Sequence, residues 1–321
     1  MMRKLVCLDG ATLYPAASAE WQKFELPGIE TVIYDRTAPG ELIERLRGAE
    51  MVLTNKVVIG ADTILAIPTL RYIGVLATGF NIVDTKAASD AGIVATNIPA
   101  YSTASVAQHA IALLLAITNR VESYSQSVRN GKWNACPDFT YRIEEWSELE
   151  GKLFGVVGFG NTGQATAAIA AALGMRVGVF TSKESSMLPT GYVKMDLDSL
   201  FAEADVLSLH CPLTAATENL VDRRRLSMMK RSAILINTSR GPVVDEEALA
   251  DALKTGRIYA AGLDVLTSEP PRSGNPLIGV SNCFITPHVA WSSVEARERL
   301  ASIAVKNIKA YLEGCPINVV N

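Results

Sequence analysis

The chain has 321 residues, 49% hydrophobic and 20% charged, with a formal net charge of −3. That length favours two domains, and the apolar share can fill two cores. The charge balance points away from nucleic acid and membrane surfaces as partners, and no apolar run approaches the ~20 residues that span a bilayer.

Short β-rich runs alternate with helical patterns from the start. Lys4–Leu8, Thr31–Tyr34, Met51–Thr54, Tyr72–Leu76 and Ile93–Thr96 read as buried strands, with helices at Glu41–Arg47, Ala61–Ala66 and Asp84–Ala91 between them. A long apolar helix is expected over Thr103–Val128, then a looser aromatic segment, Asn130–Trp146. A second series begins at Gly151, with strands at Leu153–Val157, Val177–Phe180, Val206–Leu209, Ala233–Asn237, Ala260–Leu263 and Phe284–Thr286 and a closing helix, Ser293–Leu312. Such alternation is the mark of parallel βαβ units. Prolines after strands, at Asn97-Ile98-Pro99 and Thr286-Pro287-His288, mark two boundaries. The fold class expected is α/β with two domains: residues 1–99 and 288–321 form a discontinuous domain around an inner domain of residues 100–287. Clefts between domains commonly bind small ligands.

Cys7, Cys136, Cys211, Cys283 and Cys315 are odd in number and lack CxxC spacing. They read as reduced thiols in a cytoplasmic enzyme, without a metal site or disulfide framework. The first residues carry too short an apolar stretch for a signal peptide and read as a strand.

Gly158-Phe159-Gly160-Asn161-Thr162-Gly163 follows one apolar run and opens an alanine-rich one, Gln164–Leu173. In a strand–turn–helix setting the first glycine allows the tight turn. The second lets a pyrophosphate approach the backbone, and the third lets helix pack on strand. The helix N-terminus adds free N–H groups and a positive dipole end. The inner domain is therefore expected to bind a dinucleotide.

Hydride transfer at a carbinol then needs one group to exchange a proton and one cation to hold oxygens. There are only three histidines. His109, among apolar residues in the long helix, reads as a core or interface histidine. His210 ends a strand before Cys211-Pro212, on the side where open α/β sheets bind ligands, and is expected near the cofactor. His288 follows the last strand at a domain boundary and is the candidate acid/base. Arg240, past the strand Ala233–Asn237, offers a planar fork for a carboxylate, or reads as a surface arginine in a turn. Asp264 lies on the same side, past Ala260–Leu263. Glu269 reads alone as a solvated loop carboxylate; against His288 it would raise the imidazole above its reference pKa of about 6.5 and fix its tautomer.

These pieces together resemble the D-isomer-specific 2-hydroxyacid dehydrogenases, along essentially the whole chain. The resemblance rests on the glycine turn, His210-Cys211-Pro212-Leu213-Thr214, Asn237-Thr238-Ser239-Arg240-Gly241, Gly262-Leu263-Asp264-Val265, Glu269-Pro270 and Pro287-His288-Val289-Ala290-Trp291. It implies an inner Rossmann domain inserted in a flavodoxin-like substrate domain. His288 would be the acid/base, Glu269 its partner, and Arg240 the ligand of the substrate carboxylate and carbonyl oxygen. Asp264 would hold the nicotinamide carboxamide, with Thr238 and Cys211 lining the cofactor site. Ala77-Thr78-Gly79-Phe80-Asn81 matches the family loop whose N–H groups cradle the substrate carboxylate; it reads equally as an ordinary strand-to-helix turn.

Within the family, Thr54-Asn55-Lys56, the Ala77–Asn81 loop and His288-Val289-Ala290-Trp291 look most like glycerate dehydrogenases, also called hydroxypyruvate reductases. The implied reaction is reversible reduction of hydroxypyruvate or glyoxylate to the D-2-hydroxy acid, with Asn55 or Lys56 meeting the substrate. Residues 101–150 match the family's dimerisation region, so a homodimer is implied. Trp133 and Trp146 would be anchors there, or would pack within one subunit. Another D-2-hydroxyacid dehydrogenase, such as phosphoglycerate dehydrogenase, is the enzyme-level rival, although no room is left for the C-terminal regulatory domain common in that enzyme. An NAD(H)-sensing corepressor-like binding protein is the rival of another class. One position departs from the NAD-specific pattern. Thr181 stands where an aspartate usually binds the adenosine ribose, and Ser182 and Lys183 follow it. The cofactor expected is NAD(P), with NADP favoured at that point unless Glu184 takes the aspartate's place.

Overall fold

The computed structural model describes residues 2–143, 146–271 and 273–321, so residues 144 and 145 of the Asn130–Trp146 segment lie outside the described residues. The chain forms two compact units: Met1–Ser102 with Ser292–Asn321, and Thr103–Trp291. Residues 288–291 thus go with the inner unit rather than with the outer domain expected from the sequence. The reason is local, because the backbone N–H groups of Val289 and Ala290 are both held by the side chain of Asp264.

The outer unit is a five-stranded parallel sheet: β1 (Arg3–Cys7), β2 (Ile29–Ile33), β3 (Met51–Thr54), β4 (Tyr72–Val75) and β5 (Val94–Thr96), in the order β2-β1-β3-β4-β5. That is the flavodoxin-like order. β3 and β4 are buried at every position. Continuous apolar runs suit strands that are covered on both faces. Val6, Val52, Ile73 and Ala95, one from each of four strands, meet Leu46, Ile64 and Leu70 in one core. The helix Val294–Leu312 returns to this unit, where Tyr311 packs on Tyr72 with ring centroids 4.9 Å apart.

The inner unit has seven parallel strands: β6 (Leu153–Val157), β7 (Arg176–Phe180), β8 (Tyr192–Lys194), β9 (Val206–Leu209), β10 (Ile234–Asn237), β11 (Ala260–Leu263) and β12 (Cys283–Ile285). Their order is β12-β11-β10-β9-β6-β7-β8. The direction of winding reverses between β6 and β9, as in a Rossmann sheet, and a ligand crevice opens outside the carboxyl ends at that point. β8 was not expected from the sequence, since it is three residues long with two of them exposed.

The expected single helix over Thr103–Val128 is two helices, Thr103–Asn119 and Val121–Arg129, bent by 55°. Arg120 breaks it by taking a left-handed backbone, φ +52°, with its guanidinium 4.9 Å from the Phe284 ring centroid. The first helix buries Ala110, Leu113, Leu114 and Ile117; the second buries nothing. No single helix among the described residues is long and apolar enough to cross a membrane.

Candidate active site

Two parallel sheets offer two carboxyl edges, and the candidate residues lie on these. Gly158 has φ +92°, and a Cβ there would meet His210 and Cys211 backbone atoms at 2.7–2.8 Å. Only glycine allows β6 to turn this close to the end of β9. Gly163 packs against the Gly158 carbonyl with no room for a Cβ, whereas a Cβ on Gly160 would point into open space. The turn at Gly158 and the helix–strand packing at Gly163 follow the spacing, and Gly160 leaves its side open.

The helix Asn161–Ala172 starts on Gly160 with no side-chain cap. Other helices here are capped: Asp196 accepts from the Ser199 N–H at 2.9 Å, Asp222 from Arg225 at 2.7 Å and Asp245 from Ala248 at 3.0 Å. Among the described residues, the N–H groups of Asn161, Thr162 and Gly163 donate to nothing. A pyrophosphate is the partner such an end suits. A cleft of about 560 Å³ extends from this point, lined among others by Phe159, Thr181, Ser182, Lys183, Cys211 and Pro212. The Thr238 hydroxyl, past the end of β10, is buried and has no partner among the described residues. The open face of Gly160, the uncapped helix end and that orphaned hydroxyl fit a dinucleotide.

His210 also lines the cleft, with Nε2 2.8 Å from Ser208 Oγ. Burial pushes its pKa down from 6.5 to about 4. It is neutral near pH 7 and so lacks the imidazolium proton that a general acid would give.

The proton-transfer candidates gather past β10, β11 and β12, which are adjacent in the sheet. His288 Nδ1 lies 2.6 Å from Glu269 Oε2. An ionised carboxylate only accepts, so Nδ1 carries the proton and Nε2 is left for a ligand. Glu269 is itself held, with Oε1 accepting from the Leu266 N–H at 3.0 Å. His288 adopts φ +53°, uncommon for a residue with a side chain, and its N–H donates to the Asp264 and Thr286 carbonyls at 2.8 and 3.0 Å. Arg240 follows the buried Asn237, whose amide donates to the Arg240 carbonyl at 2.9 Å. The exposed guanidinium makes one hydrogen bond, to the Ser239 carbonyl at 2.7 Å, and has no carboxylate partner among the described residues. Gly241 abuts Leu266 and Thr267 so closely that a Cβ would overlap their backbone. The Arg240 turn and the loop bearing Glu269 are therefore packed on one another.

Asp264 directly follows β11. It is 1% exposed, and its carboxylate accepts from the Val289 and Ala290 N–H groups, each at 2.9 Å, and from the Thr286 hydroxyl at 2.6 Å. It shapes the His288 turn.

In the outer unit, residues after β1, β3 and β4 share the carboxyl edge. Asn55 is 6% exposed, and its side chain donates to Thr12 Oγ1 at 2.9 Å. Its N–H and those of Lys56 and Val57 donate to Asp9, at 2.9, 2.6 and 3.2 Å. Asn55 is thus built into the loop, while the Lys56 side chain is exposed. Asp9 was not singled out in the sequence. A carboxylate just past a first strand, followed by glycine, is the one local sign of it. The N–H groups of Ala77, Thr78 and Gly79 make no hydrogen bond among the described residues, although Thr78 Oγ1 donates to the Ile98 carbonyl at 2.8 Å. A loop with free N–H groups suits an anion.

Residues 111–290 match the family model described as D-isomer specific 2-hydroxyacid dehydrogenase, NAD binding domain. The chain belongs to the D-isomer-specific 2-hydroxyacid dehydrogenase family. It is 44% identical to a hydroxypyruvate reductase of Blautia hydrogenotrophica, over 99% of each chain. It is 41% identical to a glycerate dehydrogenase of Methylorubrum extorquens, over 100% of this chain and 99% of the relative. Its fold is similar to that of an acyclic imino acid reductase in complex with NADPH and D-Arg, with TM-score 0.84 and 32% identity over 99% of this chain and all of the other. As a member of this dehydrogenase family it is an NAD(P)-dependent oxidoreductase of small 2-oxo and 2-hydroxy acids.

Proposed function

We propose that this dehydrogenase reduces hydroxypyruvate or glyoxylate to the D-2-hydroxy acid, reversibly. The observation that carries the chemistry is the 2.6 Å contact between His288 Nδ1 and Glu269, which leaves Nε2 as the atom available to exchange a proton with substrate. The relatives named hydroxypyruvate reductase and glycerate dehydrogenase support the substrate class. When bound, the nicotinamide supplies the hydride that adds to C2. His288, doubly protonated beside Glu269, gives its Nε2 proton to the oxygen forming there and takes it back in the reverse direction. Arg240, which has no carboxylate partner among the described residues, neutralises and orients the substrate oxygens. The N–H groups of Ala77, Thr78 and Gly79 hold the substrate carboxylate, with Lys56 the nearby cation in sequence for a hydroxyl or carboxylate. Gly158 to Gly163, Thr238, Cys211 and Pro212 hold the dinucleotide.

NADPH is proposed as the preferred cofactor. Thr181, Ser182 and Lys183 line the cleft and no carboxylate does among the described residues; Glu184 is exposed and does not line it. Lys183 Nζ sits 5.7 Å from the Phe159 ring centroid and has no ion-pair partner among the described residues, so it is available for a 2′-phosphate. We also assign the chain to the cytoplasm, on the support of five free cysteines, and to a homodimer through residues 101–150.

A panel of 2-oxo acids assayed with NADH and NADPH in parallel tests the reading. The highest kcat/KM is expected with hydroxypyruvate or glyoxylate and with NADPH. A better substrate with a larger side chain overturns the substrate assignment, and a tenfold or greater preference for NADH overturns the cofactor assignment.

A further inference from the structure

His109 stands outside the proton-transfer set, inside the helix Thr103–Asn119. Packing brings it to the back of that set. Gly262 in β11 has no side chain, and a Cβ there would meet Ile236, Leu113 and Ile117 at 2.9–3.3 Å. The helix therefore lies directly on β11. His109 is one helical turn before Leu113, and Asp264 is two residues beyond Gly262.

The hydrogen bonds can then be assigned by counting protons. His109 Nε2 is 2.9 Å from Thr286 Oγ1 and 3.5 Å from Asp264 Oδ1. The Thr286 hydroxyl has one proton, which it gives to Asp264 at 2.6 Å. Toward His109 that oxygen can only accept, so His109 carries its proton on Nε2. The buried Asp264 carboxylate also holds the N–H groups of Val289 and Ala290, the two residues after His288. The chain of contacts runs from His109 through Thr286 and Asp264 to a turn in which His288 is held at φ +53°. Left-handed backbone at a side-chain-bearing residue persists only where its surroundings enforce it.

We propose that His109 is a positioning residue for the reaction: by donating to Thr286 it fixes the direction of the Thr286 hydroxyl, and through Asp264 the turn that aims His288. This rests on the reading of His288 as the proton donor. The relay is local and continuous, with each link a hydrogen bond on one side of one sheet edge.

The test uses the full chain with its cofactor and the best 2-oxo acid of the panel. His109→Leu is expected to lower kcat by about 10- to 100-fold, the scale of a small misplacement of a reacting group. KM and the dinucleotide Kd, read by nicotinamide fluorescence, are expected to stay within about threefold, since ground-state binding is untouched. His109→Gln, whose amide can donate to Thr286, is expected to recover most of the loss. Thr286→Val should lose as much as His109→Leu, and the double variant no more than either alone, because both break one relay. Unchanged kcat in His109→Leu, equal losses in the Leu and Gln variants, or additive losses in the double variant overturn the proposal. If His109→Leu does not fold, Thr286→Ser against Thr286→Val decides, with activity kept only by Ser expected and equal activity of the two refuting. His288→Ala separates the two readings. If it keeps its turnover, the proton-donor assignment falls whatever His109 does; if it is inactive while His109→Leu is normal, only the relay falls.

Discussion

His288 combines a short contact to Glu269 with a backbone that side chains avoid. Both features are useful only if the ring must point one way. His288→Ala is therefore expected to lower kcat by about 10²- to 10⁴-fold, the range of general acid–base catalysis, with dinucleotide affinity nearly kept. Steady-state kinetics and a fluorescence titration measure the two, and retained turnover refutes the assignment. His210 is a contrasting case. Its burial lowers the folded-state pKa from 6.5 to about 4, so the unfolded chain binds that proton more readily. Its share of stability is whole above pH 6.5 and is lost as pH falls toward 4. His210→Gln is expected to flatten the fall of Tm between pH 6.5 and 4 relative to the parent, and parallel Tm–pH curves would exclude this. Arg240 and His288 stood out in the sequence because each follows a strand on the ligand side, whereas Glu269 stood out only through the Glu269-Pro270 resemblance to the family. Asp9 and Asp264 were not legible as anchors, since a carboxylate's backbone donors 25 to 48 residues away leave no local pattern.

Most strands could be read because a parallel strand buried on both faces is a short apolar run between polar turns. β6, β9 and β11 are such runs and are buried throughout. β8 lacks that signature, and the break at Arg120 has no proline or glycine to announce it. How loops pack on one another is also absent from periodicity. The Arg240 turn after β10 and the Leu266–Glu269 loop after β11 meet at Gly241, where a Cβ would overlap the backbone. Backbone cannot yield as a flexible side chain does, so Gly241→Ala must push the loops apart. A stability loss of about 1–3 kcal/mol is expected from the overpacking. The separation of Arg240 from the Glu269–His288 pair should also lower kcat/KM by about 10- to 100-fold. Denaturant unfolding and steady-state kinetics measure these, and wild-type values for both would show that the two loops do not depend on each other.

At the scale of the molecule, the inner unit leaves apolar surface uncovered in one stretch of chain. Trp133, Phe139 and Trp146 are 51, 89 and 52% exposed, and Val121 and Val128 lie on a helix that buries nothing. Each tryptophan thus leaves about half of its surface exposed in the subunit. Trp133 does fix its ring locally, donating from Nε1 to the Phe139 carbonyl at 3.2 Å. Rings held in place but left in water match the hot spots of protein interfaces, where truncation costs about 2 kcal/mol or more. A second copy of the chain supplies the same surface under two-fold symmetry. The chain is accordingly expected to sediment as a dimer at micromolar concentration. Trp133→Ala combined with Phe139→Glu should remove about 4 kcal/mol, near a thousandfold in the dimer Kd, and give a monomer at that concentration. A monomeric parent chain, or a dimer indifferent to both changes, would place the interface elsewhere. Because Arg240, Glu269 and His288 lie on loops past β10, β11 and β12, and these rings lie in the stretch before β6, the monomer should keep its dinucleotide affinity. That separates loss of assembly from loss of fold.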